Sequence, residues 1–257
     1  MRRMTTTRPD AAPQPTGDGA VDGDRPTGGL PADSADAVEL LGLVAHLEHT
    51  AFVRLASDSA IAPNIDQRLA LSRFAAAAVD RRDRVLARIV ELGGDPEAAL
   101  RQFDDVLADF DARTQPSTWW ERLLKAYVGY GVADDFCRLV ADGLDERSRE
   151  IVLEVLDDAS HADLAVIELD AAGSADGVLT SRLALWGRRL VGEALGVVQG
   201  LLTQSPGLGR LLARSDARAA AAAGKPASAA PANAPAKVFG ELTAQHTRRM
   251  SRLGLTP

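Results

Sequence analysis

Three carboxylates and one histidine lie on helix faces that are otherwise apolar: Glu48, Asp135, Asp158 and His161. An ionised side chain on a buried face is costly unless it is paired with an opposite charge or bound to a metal. Asp158 and His161 are three positions apart, so both side chains can reach a common point from one helix. Carboxylate and imidazole groups together suit metals such as Fe(II) and Mn(II). These four residues are therefore the candidate metal ligands.

The helical period is the evidence that these groups point inward. Glu48 comes four residues after Val44, and Asp135 comes three residues after Val132 and four before Leu139. Residues at such spacings share one face of a helix. The aspartate of the fourth predicted helix follows the same rule. The carboxylates are therefore predicted to point into one shared interior.

Each of these residues also has a simpler interpretation when it is taken alone. A single acid on an apolar face is often a boundary residue that tilts toward solvent, and His161 could be a hydrogen-bonded core histidine. Asp134 and Asp157 are the direct neighbours of two chosen acids, so a small rotation of either helix would exchange them. The coincidence on several helices at once favours a buried polar cluster.

The second predicted helix lacks the groups that would complete a two-metal site. Bundles that bind two irons take one carboxylate from each of two helices and a Glu-x-x-His pair from each of the other two. Ala78 and Arg81 stand at the corresponding positions here. Asp80 and Asp83 are near in sequence, but their helical angles point away from this face. The ordinary di-iron site is therefore predicted to be lost, with one iron or none expected.

Two physical outcomes remain open for this cluster. In the first, Arg81 replaces the metal, because a guanidinium is permanently charged and can bridge carboxylates. The protein is then a scaffold or a binding module. In the second, Asp135, Asp158 and His161 hold a single metal and the chain is a metal-dependent oxygenase. The first is favoured because a nearby arginine repels a divalent cation, and whether any catalysis survives stays open.

The period of the apolar residues, together with helix-breaking and capping residues, predicts the helices that position these side chains. Pro63 ends the first helix, Gly93 and Gly94 end the second, and Ser117 is a good N-cap for the third. The predicted helices are 36–57, 65–92, a short one at about 96–112, 117–141, 146–171 and 176–204.

The lengths of the connections predict the topology. The first two helices are joined by a few residues, as are the third and fourth, whereas some 20 residues separate the two pairs. Two antiparallel hairpins joined by a long crossover form the ferritin-like arrangement. The fold class is therefore predicted to be all-α, a ferritin-like four-helix bundle with an additional C-terminal helix.

Composition limits the function classes. The chain has 257 residues, 46% of them hydrophobic, and a formal net charge of −7, which argues against nucleic-acid binding by the whole surface. The single cysteine, Cys137, excludes an intramolecular disulfide. No secretory signal and no long apolar run is present, so a cytoplasmic protein without membrane contact is expected.

The chain divides into four predicted parts. Residues 1–35 should be disordered, 36–214 should form the helical domain, and 215–237 should be a low-complexity linker. Residues 238–257 should form an amphipathic helix that docks on the bundle. Five arginines could contact RNA phosphate or belong to solvated helix faces: 188, 189, 248, 249 and 252. The negative net charge of the chain favours solvated faces.

Several segments resemble the ferritin-like proteins similar to tRNA-(2-methylthio-N6-isopentenyl adenosine) hydroxylase. The resemblance spans about 38–213 and resumes at about 242–255. The segments that carry it are AHLEHTAFVRLASDSAIAP, TWWERLLKAYVGYGVADDFCRLVA, IVLEVLDDASHADLAV, RLALWGRRLVGEAL and LTAQHTRRMSRLGL. The resemblance implies a non-haem di-iron site that activates dioxygen to hydroxylate an isopentenyl group on tRNA.

The family's ligands carry over only in part. Positions Glu48, Asp135, Asp158 and His161 match the ligand pattern that the resemblance implies. The second helix departs from it, because the stretch Ala78 to Arg81 stands where relatives read Glu-Phe-x-His. The resemblance thus implies a degraded di-iron motif, in agreement with the spacing argument. It also implies tRNA or a protein as the partner of the scaffold, and a tRNA-modifying hydroxylase as the single-metal alternative.

Overall fold

The computed structural model describes residues 30–157, 160–224 and 234–257. Within these ranges the regular structure is helical throughout, with no strand. The helices are α1 (Ala32–Ile61), α2 (Ile65–Glu91), α3 (Pro96–Arg101), α4 (Ala108–Arg113), α5 (Trp119–Leu124), a π-helical turn (Lys125–Gly129), α6 (Tyr130–Ala141), α7 (Glu146–Leu156), α8 (Ser160–Ala175), α9 (Gly177–Gln204), α10 (Pro206–Ala222) and α11 (Ala234–Arg252). No helix in these ranges combines the length and hydropathy that a membrane span requires.

Two hairpins form the bundle. α1 and α2 pack along their length, and the turn between them is fixed by Asn64, whose side chain accepts a hydrogen bond from the Gln67 amide at 2.9 Å. α6 packs on α7, and Asp145 caps α7 by accepting from the Ser148 amide at 3.0 Å. The long connection between α2 and α5 holds α3 and α4. The predicted all-α arrangement of two hairpins and one crossover is confirmed.

The third predicted helix is not a regular α-helix. It begins after Thr118, and not after Ser117 as expected, because Thr118 and Glu121 form a reciprocal capping box. Its middle is the π-helical turn, which inserts an extra residue between α5 and α6. Because this turn contains one extra residue, the residues after it face the bundle interior at positions different from those of a regular α-helix.

The fourth predicted helix is described as two segments. α7 ends at Leu156 and α8 begins at Ser160, while Asp158 and residue 159 lie outside the described residues. At the end of α7, Arg138 donates to the backbone carbonyl of Leu156 and to the Asp157 carboxylate at 2.7 Å. These bonds satisfy a carbonyl that the helix end leaves without an intrahelical partner.

The helical part extends beyond its predicted ends. α1 begins at Ala32, inside the stretch predicted to be disordered, and α10 runs to Ala222, inside the predicted linker. Alanine has the highest helix propensity, so an alanine-rich run can read as low complexity and still be helical. The buried Asp36 joins these ends by accepting hydrogen bonds from Arg210 at 2.9 Å and Arg214 at 2.8 Å. The rest of both predicted segments, 1–29 and 225–233, lies outside the described residues.

α11 packs across α6, α9 and the π-helical turn, beginning at Ala234 and not at 238. Two glycines let it approach closely. A Cβ atom on Gly131 of α6 would lie 2.7 Å from Nε of Arg249, and one on Gly187 of α9 would lie 2.5 Å from Sδ of Met250. Its buried side chains are Val238, Leu242, His246 and Met250, and the buried Leu253 follows its last residue.

Candidate functional site

Glu48 and Arg81 form an ion pair between α1 and α2. Glu48 is only 8% exposed, and its Oε2 atom accepts from Nε of Arg81 at 2.9 Å and lies 2.9 Å from Nη2. Ala78 is fully buried one turn earlier on α2. The prediction that Arg81 hydrogen-bonds an acid is confirmed for Glu48. A charged donor and acceptor strengthen such a bond relative to a neutral one.

Asp135 is paired with a different arginine, which lies 114 positions along the chain in α11. Nη1 of Arg249 donates to Oδ2 at 2.5 Å, and Nη2 donates to Oδ1 at 2.7 Å. This is the bidentate fork geometry of guanidinium and carboxylate. Both oxygens of Asp135 are therefore engaged by one side chain.

Arg249 was predicted to lie on a solvated face or to contact RNA, so its pairing with Asp135 was not expected from the sequence. The signal was present in the spacing. Arg249 comes three residues after the buried His246 and four before the buried Leu253, so it shares their face. The period that placed Glu48 inside would also have placed this arginine inside.

The pairing with Asp135 favours the charged form of Arg249. Burial alone would lower the pKa of Arg249, but its hydrogen bonds to Asp135 outweigh burial and raise the pKa. The neighbouring Asp134 has its pKa raised, first by burial and also by the charge of Asp135. Of the two adjacent acids, Asp135 is the more deeply buried, at 8% exposure.

The other half of the predicted cluster is described only in part. Asp158 lies outside the described residues. His161 is in the first turn of α8, partly buried, and lines a pocket together with Asp134 and Arg249. The structure thus brings His161 toward the face of α6 that carries Asp134, on the side where α11 docks.

The described residues do not fit a di-iron centre. Among them, no three His, Cys, Asp or Glu side chains come close enough together to hold a metal ion. Ala78 carries no donor atom, and the carboxylates of Glu48 and Asp135 each accept hydrogen bonds from a guanidinium. A cation at either carboxylate would have to displace an arginine of the same charge sign.

A second polar cluster, absent from the sequence analysis, lies where α1 meets α5 and the π-helical turn. The buried Asp58 accepts from Nη1 of Arg122 at 2.8 Å. Lys125, also buried, donates to Asp111 at 2.6 Å, and Tyr130 donates to the same oxygen at 2.8 Å. Each acid here is matched by a base, which is the pattern of a structural network.

The remaining candidates have structural partners. Cys137 is fully buried, and burial raises the pKa of its thiol well above the usual value, so it stays protonated. Arg188 donates to the backbone carbonyl of Thr256 at 3.2 Å, which ties α9 to the C-terminus. Arg189 donates to the carbonyl of Arg113 at 2.7 Å. Both arginines thus hold chain segments together.

The architecture defines an all-α protein of the ferritin-like class: two hairpins, a long crossover between them, and further helices packed alongside. A family model described as a ferritin-like domain of actinomycetes matches residues 33–215. The match covers well over half of the chain, and the chain belongs to this family. No curated protein matches it.

Proposed function

We propose that this protein is a ferritin-like scaffold without a di-iron centre, in which arginine side chains supply the positive charge that metal ions supply elsewhere. One observation carries the proposal. The carboxylates of Glu48 and Asp135, both at predicted ligand positions, accept hydrogen bonds from Arg81 and Arg249. The chain then acts by binding a partner and not by activating dioxygen.

Charge balance supports this proposal. Two carboxylates and two guanidiniums sum to zero without a metal. Removing the charge partner of a buried carboxylate destabilises a fold by about 3–5 kcal/mol. The binding of a metal ion would have to offset the free energy that is lost when an arginine leaves each carboxylate. The absence of a donor at Ala78 removes a ligand that could help to do so.

The single-metal alternative, with Asp135, Asp158 and His161 as ligands, has less support. It requires Asp135 to turn an oxygen toward a cation, although both of its oxygens are bound by Arg249. No contact among the described residues favours that rearrangement.

The resemblance to tRNA hydroxylases suggests the class of partner that the scaffold binds. A phosphate-bearing ligand, tRNA included, requires local positive charge, because the net charge of −7 works against contact over the whole surface. The exposed arginines of α11 supply such a local region. Oxygenase activity on tRNA is not part of the proposal.

Iron content tests the proposal. The full chain is purified, incubated with Fe(II) without oxygen, exposed to air, desalted and analysed for iron per chain. The expected result is well below one iron and no oxo-bridge absorption band. Asp135→Asn serves as the matched control, since adventitious iron stays equal in both proteins. Two irons per chain with the oxo-bridge band would contradict the proposal, and one iron lost in Asp135→Asn would favour the single-metal alternative.

A further inference from the structure

A pocket of about 340 Å³ lies between the π-helical turn, α6, the first turn of α8 and α11. Four arginine side chains line it. They are Arg138, Arg248, Arg249 and Arg252. Asp134 is the one carboxylate among the described lining residues. The described part of the lining therefore carries more positive than negative charge.

The arginines differ in how far their charges are compensated. Arg249 is bound to Asp135, and Arg138 donates to Asp157 at 2.7 Å. Arg248 reaches Glu241 at 3.1 Å, but both side chains of that pair are exposed, and exposed pairs contribute little. Arg252 has no ion-pair partner among the described residues.

A buried hydroxyl in the pocket lining also lacks a partner. Tyr127, in the π-helical turn, is 5% exposed, and its hydroxyl makes no hydrogen bond within the described part of the chain. A buried polar group left without a partner is unfavourable, because it has lost its hydrogen bonds to water. An oxygen of a bound ligand would remove that cost by accepting from the hydroxyl. π-Helical turns are also frequent at functional sites.

We propose that this pocket binds the terminal phosphate monoester of a small molecule. Tyr127 donates to one phosphate oxygen at the buried end, and Arg248 and Arg252 contact the others at the rim. A monoester dianion has three terminal oxygens and nearly two charges, which suits several guanidiniums and a hydroxyl better than a planar carboxylate does. The internal diester of a nucleic acid has no free end to insert as far as Tyr127.

The inference rests on the proposed scaffold function at one point. Arg249 must stay on Asp135, because that bond holds the guanidinium at the pocket wall beside Gly131. A metal at Asp135 would release the arginine and change the pocket. Iron content and phosphate binding are therefore measured on the same samples.

The test is calorimetric titration of the full chain at about pH 8, where a phosphate monoester is a dianion. The probes are inorganic phosphate, adenosine 5′-monophosphate, adenosine, and an RNA oligonucleotide without terminal phosphates. Adenosine 5′-monophosphate should bind, inorganic phosphate more weakly, and adenosine not at all. The monoester assignment would be overturned if the oligonucleotide bound and if Tyr127→Phe weakened its binding as much as that of adenosine 5′-monophosphate.

Two variants and a control locate the site. Tyr127→Phe removes only the hydroxyl and should weaken binding by about 3- to 10-fold, the value of one hydrogen bond. Arg252→Gln should weaken binding and reduce its salt dependence. Arg101→Gln removes an exposed arginine of α3 and should bind like the parent. No binding by iron-free parent protein, or parent-like binding by both pocket variants, would overturn this inference and leave the scaffold proposal standing.

Discussion

At the scale of single residues, Glu48 and Asp135 obtain their compensating charge from side chains on other helices. Spacing predicted that Glu48 points inward and that Arg81 reaches at least one of the acids. The acid that it reaches is Glu48, on the adjacent regular helix. The partner of Asp135 comes from α11, whose docking position no local pattern fixes. The direction of a side chain is thus predictable from the period, whereas its long-range partner is not.

His246 makes the stability of the protein depend on pH. The ring is 2% exposed, and neither ring nitrogen has a partner among the described residues. Burial, with a smaller effect of Arg249, lowers its pKa from 6.5 to about 4. The unfolded chain therefore takes up a proton between these values while the folded chain does not.

We expect the free energy of unfolding to fall as the pH drops from above 6.5 toward 4, by up to roughly 3 kcal/mol from this group. Urea denaturation at several pH values measures the change. His246→Leu, which keeps a buried apolar contact, should lack this share of the pH dependence. An equally steep pH dependence in the variant would contradict the assignment to His246.

At the scale of elements, the helix ends that could be predicted were those marked by helix-breaking or capping residues. Gly93 and Gly94 ended α2 within one residue of the expected position. The π-helical turn could not be predicted, because a helix is recognised in a sequence by apolar residues at a constant 3.6-residue period. The C-terminal end of α10 was predicted to be a linker, because its alanine-rich sequence is of low complexity. Alanine also has a high helix propensity, and the segment is helical.

The docking of α11 depends on the missing side chain of Gly131. Gly131→Ala would place a Cβ atom 2.7 Å from Nε of Arg249, so the guanidinium must move away from Asp135. We expect α11 to lose amide hydrogen-exchange protection and the protein to lose stability. Hydrogen exchange measured by mass spectrometry, with urea denaturation, reports both.

Gly196→Ala on α9 is the matched control. No atom lies within 4 Å of a Cβ atom placed there, so only the local backbone preference changes. Alanine stabilises the interior of a helix by about 0.5–1 kcal/mol relative to glycine. If Gly131→Ala also stabilised the protein and left α11 protected, close contact at Gly131 would not be what holds Arg249 in place.

At the scale of the whole molecule, an acidic chain carries a local region of positive charge. The net charge of −7 predicts that the surface as a whole is not suited to nucleic acid, but this total averages over the arginines at 138, 248, 249 and 252. Composition cannot show where charges converge, because Arg138 and α11 meet only in the fold. Of the three α11 arginines that line this pocket, Arg249 is the one that engages Asp135.

The central claim is that two arginines, and not only a missing glutamate and histidine, exclude the di-iron centre. Ala78→Glu with Arg81→His restores the ligand set predicted from the sequence, including Asp158 and His161. It leaves Arg249 on Asp135. Adding Arg249→Leu frees both oxygens of Asp135 and keeps an apolar side chain on α11.

Iron per chain after aerobic reconstitution should therefore stay near zero in the parent, rise little in the double variant and approach two in the triple variant. The oxo-bridge absorption band should appear only with the third change. Equal iron in the double and triple variants would show that Arg249 does not exclude metal. Two irons in the parent, or none in the triple variant, would contradict the account as a whole.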